Sequence, residues 1–164
     1  MGRVFYRSNY KAFAIVNNEN IIALVHFVIQ TSTTKDIRIF TQNYSMTTRE
    51  IANRLIELCS KGDFETAQKE LFADNAISSE PYGTPDFEKE TKGLQAIIEK
   101  GKKFELMVEK MHEMTFSEPL IAGNSIAFVL TMDVTMKGTE RTTWTELCVY
   151  MVKDGKIISE QFSM

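Results

Sequence analysis

The sequence predicts an α+β domain in which helices cover one face of a curved, mostly antiparallel sheet and enclose a pocket against it. Three observations predict this. The C-terminal part alternates as three strands, Ile126 to Met136, Arg141 to Val152 and Lys156 to Phe162. The links between them, Lys137-Gly138-Thr139-Glu140 and Asp154-Gly155, supply the positive-φ glycines of tight hairpins. Three stretches of helical period lie upstream, so helices precede most strands, which is α+β order rather than βαβ.

The first helix starts after Met46. Thr47-Thr48-Arg49-Glu50 reads as a capping box, with Met46 and Ile51 at the staple positions. Ile51, Leu55, Leu58 and Cys59 then fall on one face, and Lys61-Gly62 ends the helix. Phe64, Ala67, Leu71 and Phe72 repeat at helical spacing in a second, short helix, which Ala73-Asp74-Asn75 breaks. Ala76 to Ser79 is a short strand, and Glu80-Pro81-Tyr82-Gly83-Thr84-Pro85 a turn stiffened by two prolines. A third helix runs from about Thr91 to about Val108, with Leu94, Ile97, Ile98, Phe104 and Met107 inward and Lys100, Lys102, Lys103 and Glu105 on its solvated face. Glu109 to Ser117 is a strand, Glu118-Pro119 a break, and Ala122 to Ser125 a turn into the terminal sheet. The predicted order is α-α-β-α-β-β-β-β.

Composition narrows the function. The chain has 164 residues, 43% hydrophobic and 25% charged, with net charge −3, an ordinary globular composition with nothing to attract nucleic acid or an anionic membrane. Two cysteines, Cys59 on a helix and Cys148 in a strand, lack CxxC spacing and read as buried thiols in a reducing cytoplasm. His26 and His112, the only histidines, form no metal-ligand pattern, so neither metal nor other cofactor is expected. Residues 1–45 are rich in Asn and Thr and read as a poorly ordered N-terminal extension or a mis-assigned start, with the domain spanning 46–164. Their apolar run, Ile21 to Ile29, falls short of the roughly 20 residues of a membrane span. Asn17 to Asn20 before it, and the lack of a cleavage site after it, argue against a signal peptide.

Several pieces in order resemble a known family: Lys61-Gly62-Asp63 closing a helix pair, Phe72-Ala73-Asp74-Asn75-Ala76, Glu80-Pro81-Tyr82-Gly83, Lys92-Gly93-Leu94-Gln95-Ala96-Ile97, and the late Asp154-Gly155-Lys156-Ile157 turn. Together they resemble the SnoaL-like branch of the nuclear transport factor 2-like superfamily, over about Met46 to Met164. The resemblance implies a cone-shaped α+β barrel with a cavity open at one end, and frequent homodimers. Its members include polyketide cyclases, ketosteroid isomerases and scytalone dehydratases, so the fold leaves the chemistry open.

Glu80 is the first candidate for chemistry. It stands before Pro81 at the end of the short strand, where ketosteroid isomerases carry a catalytic carboxylate, and burial in an apolar cavity raises the pKa of such a base. The isomerase's two oxyanion donors are not matched, since the corresponding positions are about Leu55 and Leu147. Glu160 is the second candidate, placed by alternation between Ile158 and Phe162 on the cavity face. If the two carboxylates approach, one should hold a proton and they form an acid/base pair. Phe128, Leu130, Met132, Val134 and Met136 share a face, expected to line the pocket beside Leu147, Val149 and Met151. Tyr82 at the rim, His112 in register with Met114 and Phe116, and Phe162 complete the expected ligand contacts. Trp144, Cys148 and Tyr150 are expected on the opposite, outer face, as a homodimer contact. The sequence thus leaves two readings: a cofactor-free acid/base enzyme on a small apolar molecule, or a non-catalytic binding or dimerisation module whose cone is filled by side chains.

Overall fold

The structure, a computed structural model, describes residues 45–164. The expectations for the N-terminal extension, its apolar run included, lie outside the described residues. Three helices pack on one mixed, mostly antiparallel sheet of seven strands. The strands are β1 (Phe72–Ser79), β2 (Glu90–Lys92), β3 (Val108–Phe116), β4 (Leu120–Ala122), β5 (Ser125–Met136), β6 (Arg141–Lys153) and β7 (Lys156–Ser163). Their order is β2-β1-β7-β6-β5-β3, with β4 also on β5. The sheet is open rather than a closed barrel, because β2 and β3 end it without pairing to each other.

Helix α1 (Thr48–Ser60) begins with the predicted box: the Thr47 hydroxyl accepts from the Glu50 N–H at 3.2 Å, and Glu50 accepts from the Thr47 N–H at 2.8 Å. It ends with Gly62 at φ +75, where the Asp63 N–H reaches Leu58 O at 3.0 Å and the Gly62 N–H reaches Cys59 O at 2.9 Å. Ile51, Ala52 and Leu55 are buried. Helix α2 (Phe64–Leu71) lies against α1, joined on the surface by a two-pronged Arg54–Glu70 ion pair at 2.8 and 2.9 Å. Helix α3 (Leu94–Met107) buries Ile97 and Ile98.

The strand boundaries differ from expectation in instructive places. Phe72 is the first residue of β1, not the last of α2, so helix passes into strand without a loop. Helix α3 starts at Leu94 because Gly93 sits at φ +91 with its N–H on Ala76 O at 2.8 Å, and this holds the preceding residues as β2 on the edge of β1. Leu120–Ala122, between the expected break at Glu118-Pro119 and running into the expected turn from Ala122, pairs with β5 as β4. The pairing of β1 with β7 is parallel, a contact between distant segments that alternation alone does not reveal.

The core lies between the helices and the concave face of the sheet. On β5 the predicted alternation holds from Ile126 to Met136, with every even-numbered residue buried. On β6 the expected phase is inverted. Phe128 lies opposite Cys148, Leu130 opposite Glu146, and Met132 opposite Trp144. The inner face of β6 is therefore Trp144, Glu146, Cys148, Tyr150 and Val152, and Leu147, Val149 and Met151 point outward. The turn sets this. Thr139 N–H bonds Met136 O at 3.1 Å with Gly138 at φ +77, which places Thr135 opposite Arg141. A register differing by one residue exchanges the two faces.

Candidate functional site

A cavity of about 820 Å³ opens between the helices and the inner face of the sheet. Apolar walls come from Phe72, Met111, Met114, Phe116, Phe128, Leu130 and Met132, with Trp144 of β6 beside Met132 and Phe104 of α3 at 6.4 Å from the Trp144 ring. Phe128 stacks on Tyr150 at 5.4 Å and meets Phe116 edge-on at 5.8 Å, so one side of the hollow is a continuous aromatic wall.

One end is polar. Glu80 closes β1, and its N–H bonds Lys89 O at 2.8 Å, which fixes the start of the Pro81–Phe87 segment at the rim. Its carboxylate is not alone there. Lys100 of α3 donates to Glu80 Oε1 at 2.7 Å and to Ser78 Oγ at 2.5 Å, and the Lys100 side chain is only 14% exposed. Ser78 is fully buried and lies opposite Glu160 across the β1–β7 pair. Since Lys100 occupies an acceptor site of the Ser78 oxygen, the serine O–H is left to donate to Glu160. Glu80, Lys100, Ser78 and Glu160 therefore form one polar cluster reaching from the rim into the interior.

The carboxyls of this end are not alike. Burial pushes Glu160 above the ordinary carboxylate range, aided by the charge on Glu80 and opposed by the Ser78 hydrogen bond and by Lys100. Glu146 is pushed up to about 7, first by burial and then by Glu80 and Glu160, against the pull of Lys100. The nearest thiol, Cys148, stands 3.9 Å from Glu146 Oε1. Burial also raises both cysteines, Cys59 to about 12, so neither is a thiolate nucleophile near neutral pH. Among the described residues no three His, Cys, Asp or Glu side chains are grouped to hold a metal ion.

The sequence-predicted residues divide clearly. Glu80, Glu160, Tyr82, Phe128, Leu130, Met132 and Phe162 line the cavity, Tyr82 at the mouth with 59% exposure. Leu147 and Val149 do not, because β6 presents its other face; Leu147 is 43% exposed on the outer surface. Trp144, Cys148 and Tyr150 are corrected with them. Trp144 and Tyr150 line the cavity, and Cys148 and Tyr150 are buried within one chain, so these three do not form an outer contact. His112 also misses the cavity. The β3–β5 register shifts between Met111 and Glu113, and this bulge turns His112 to the outer face, where its Nε2 lies 2.9 Å from Thr135 Oγ1. The same bulge lets Met111 and Met114, three residues apart, both face inward.

Three polar residues of the site escaped sequence reasoning. Lys100 lies among Lys102 and Lys103 and reads as part of a solvated helix face. Glu146 shares the face of Trp144, Cys148 and Tyr150, which the expected phase of β6 turns outward. Ser78 carries no signal of its own, although β1 alternation with buried Ala76 places it inward.

An α+β sheet cupping a hollow under three helices is the architecture of the nuclear transport factor 2-like class. The SnoaL-like domain model matches residues 46–164, and the chain belongs to that family. A candidate SnoaL-like polyketide cyclase from Mesorhizobium loti is similar at 32% identity over 73% of this chain and 100% of that one, with TM-score 0.67. A candidate polyketide cyclase from Streptomyces antibioticus, IdmH, shares the fold at 19% identity over 72% and 91% of the two chains, with TM-score 0.57. A candidate isomerase from Bacillus subtilis does so at 19% identity over 71% and 88%, also with TM-score 0.57. No curated protein matches the chain.

Proposed function

We propose that the domain binds a small, largely apolar molecule in this cavity and carries out cofactor-free proton transfer on it, of isomerase, cyclase or dehydratase type. The observation that carries the reading is Glu146: a carboxyl on the cavity wall, pushed up to about 7. A group titrating near the working pH serves equally as base and as acid, the condition for taking a proton from one atom and returning it to another. Glu146 sits in the row of Phe116 and Leu130, where an apolar ligand would rest. Glu80, held by Lys100, orients the polar end, and Glu160, raised by burial, lies deeper in the same cluster beside Ser78. Similarity to a candidate polyketide cyclase supports the choice of substrate type, since polyketide intermediates carry acidic C–H bonds next to carbonyls.

The test uses 2-tetralone, an apolar ketone with exchangeable hydrogens beside its carbonyl, in D2O. Deuterium incorporation followed by NMR should run faster with the protein than with buffer, and Glu146→Gln should slow it by about 100-fold. Exchange no faster than buffer would leave the binding module as the better reading.

A further inference from the structure

We propose that Lys100 binds the oxygen of the substrate: the carbonyl in the ground state and the oxyanion that develops as the proton leaves carbon. The assignment rests on the proton-transfer reading above and supplies what it lacks. Proton removal next to a carbonyl needs a donor aimed at the oxygen where charge appears. Leu55, in the cavity wall, has no polar hydrogen to offer.

Lys100 is the one cation among the described residues that line the cavity, against Glu80, Asp86, Glu105, Glu146 and Glu160. An ammonium has three N–H donors. One goes to Ser78 Oγ at 2.5 Å and one to Glu80 Oε1 at 2.7 Å, and among the described residues no third oxygen or nitrogen acceptor stands at Nζ. The Nζ lies 5.3 Å from the centre of the Phe162 ring, itself a wall of the cavity. Two anchors and an aromatic neighbour therefore fix the ammonium in place with a donor to spare, which is the preorganisation an oxyanion site requires. Charge-assisted bonds of this kind are roughly twice as strong as neutral ones.

The step balances without a further reactant. Glu146 as carboxylate takes the proton from the carbon beside the carbonyl. The C–H electron pair becomes the enolate C=C bond, and the carbonyl π pair moves onto oxygen, where the third Lys100 N–H meets it. Glu146, now the acid, returns the proton at another carbon of the conjugated system, and the oxygen lone pair restores the carbonyl. Substrate and product are isomers. The substrate class is a conjugated, mostly apolar ketone, with its carbonyl at the Lys100 end and its body along Phe128 and Tyr150.

Paired probes test this: 4-nitrophenol, whose phenolate absorbs in the visible, and nitrobenzene, of similar shape without the acidic oxygen. Just below the phenol's own pKa, the bound phenol should show the phenolate band and bind about tenfold or more tighter than nitrobenzene. Lys100→Met should abolish that preference and keep nitrobenzene affinity within about twofold. A bound phenol that stays neutral in the wild-type protein overturns the assignment, whether or not the variant folds, and so does a preference that survives in Lys100→Met. Nitrobenzene binding with a neutral phenol removes only the role of Lys100. Failure of nitrobenzene to bind removes the apolar cavity reading and Lys100 with it.

Discussion

The two faces of β6 are similar in composition and different in circumstance. Trp144, Cys148 and Tyr150 alternate with Leu147, Val149 and Met151, so each face offers three large or apolar side chains. The inner set faces the core: Tyr150 stacks on Phe128 and meets Phe72 edge-on at 6.4 Å, and Trp144 meets Phe104 of α3 at 6.4 Å. The outer set lies beside polar neighbours, with Thr131 and Thr145 in contact at 3.2 Å and Arg141 gripping Asp133 through two hydrogen bonds. The difference teaches that apolar content does not choose a face when both faces have it. Register does, and register belongs to the turn and to the neighbouring strand.

Truncating one residue from each face should break or establish the comparison most directly. Tyr150→Ala removes a buried ring and should cost about 3–5 kcal/mol in urea unfolding. Leu147→Ala, on the outer face, should cost less than about 1 kcal/mol. Equal losses would show that the faces are assigned wrongly.

A smaller effect sharpens the chemistry of the inner face. The folded protein holds the Glu146 proton up to about 7, whereas an unfolded chain releases it near 4.5. Between those values the folded state binds more protons, so this group makes stability fall as pH rises through the window, and has no further effect above it. Glu160, also raised, acts in the same direction. Glu57, Glu65, Glu70 and Asp133 are held below their ordinary values by surface cations and act in the opposite sense at lower pH. Glu146→Gln should therefore flatten the loss of stability between about pH 4.5 and pH 7, by at most on the order of 3 kcal/mol. An unchanged slope in urea midpoints would place Glu146 in water rather than in the wall.

The smallest expected effect concerns the outer face alone. Leu147→Thr should change stability by no more than about 0.5 kcal/mol and leave nitrobenzene binding untouched. A loss of binding would mean that this residue reaches the cavity after all.

The sequence by itself determined the local features. The Thr47–Glu50 box, the Gly62 helix stop, the Asp154-Gly155 hairpin and the alternation of β5 depend on neighbours within a few residues, and each is visible in the residues concerned. In the Asp154-Gly155 turn both residues take positive φ, as an Asp-Gly pair allows. Glu80 and Glu160 were legible for the same reason, one by its Pro81 neighbour and one by alternation. Only the tertiary structure decided what they face. The parallel joining of β1 to β7 brings Ser78 against Glu160, and α3 folding over that seam carries Lys100 from an apparent solvent face to Ser78 and Glu80. The bulge at His112 and the phase of β6 likewise fix which side chains see the hollow. These are relations between segments far apart in the chain, and burial, which shifts Glu146 and Glu160 upward, exists only once those segments have met.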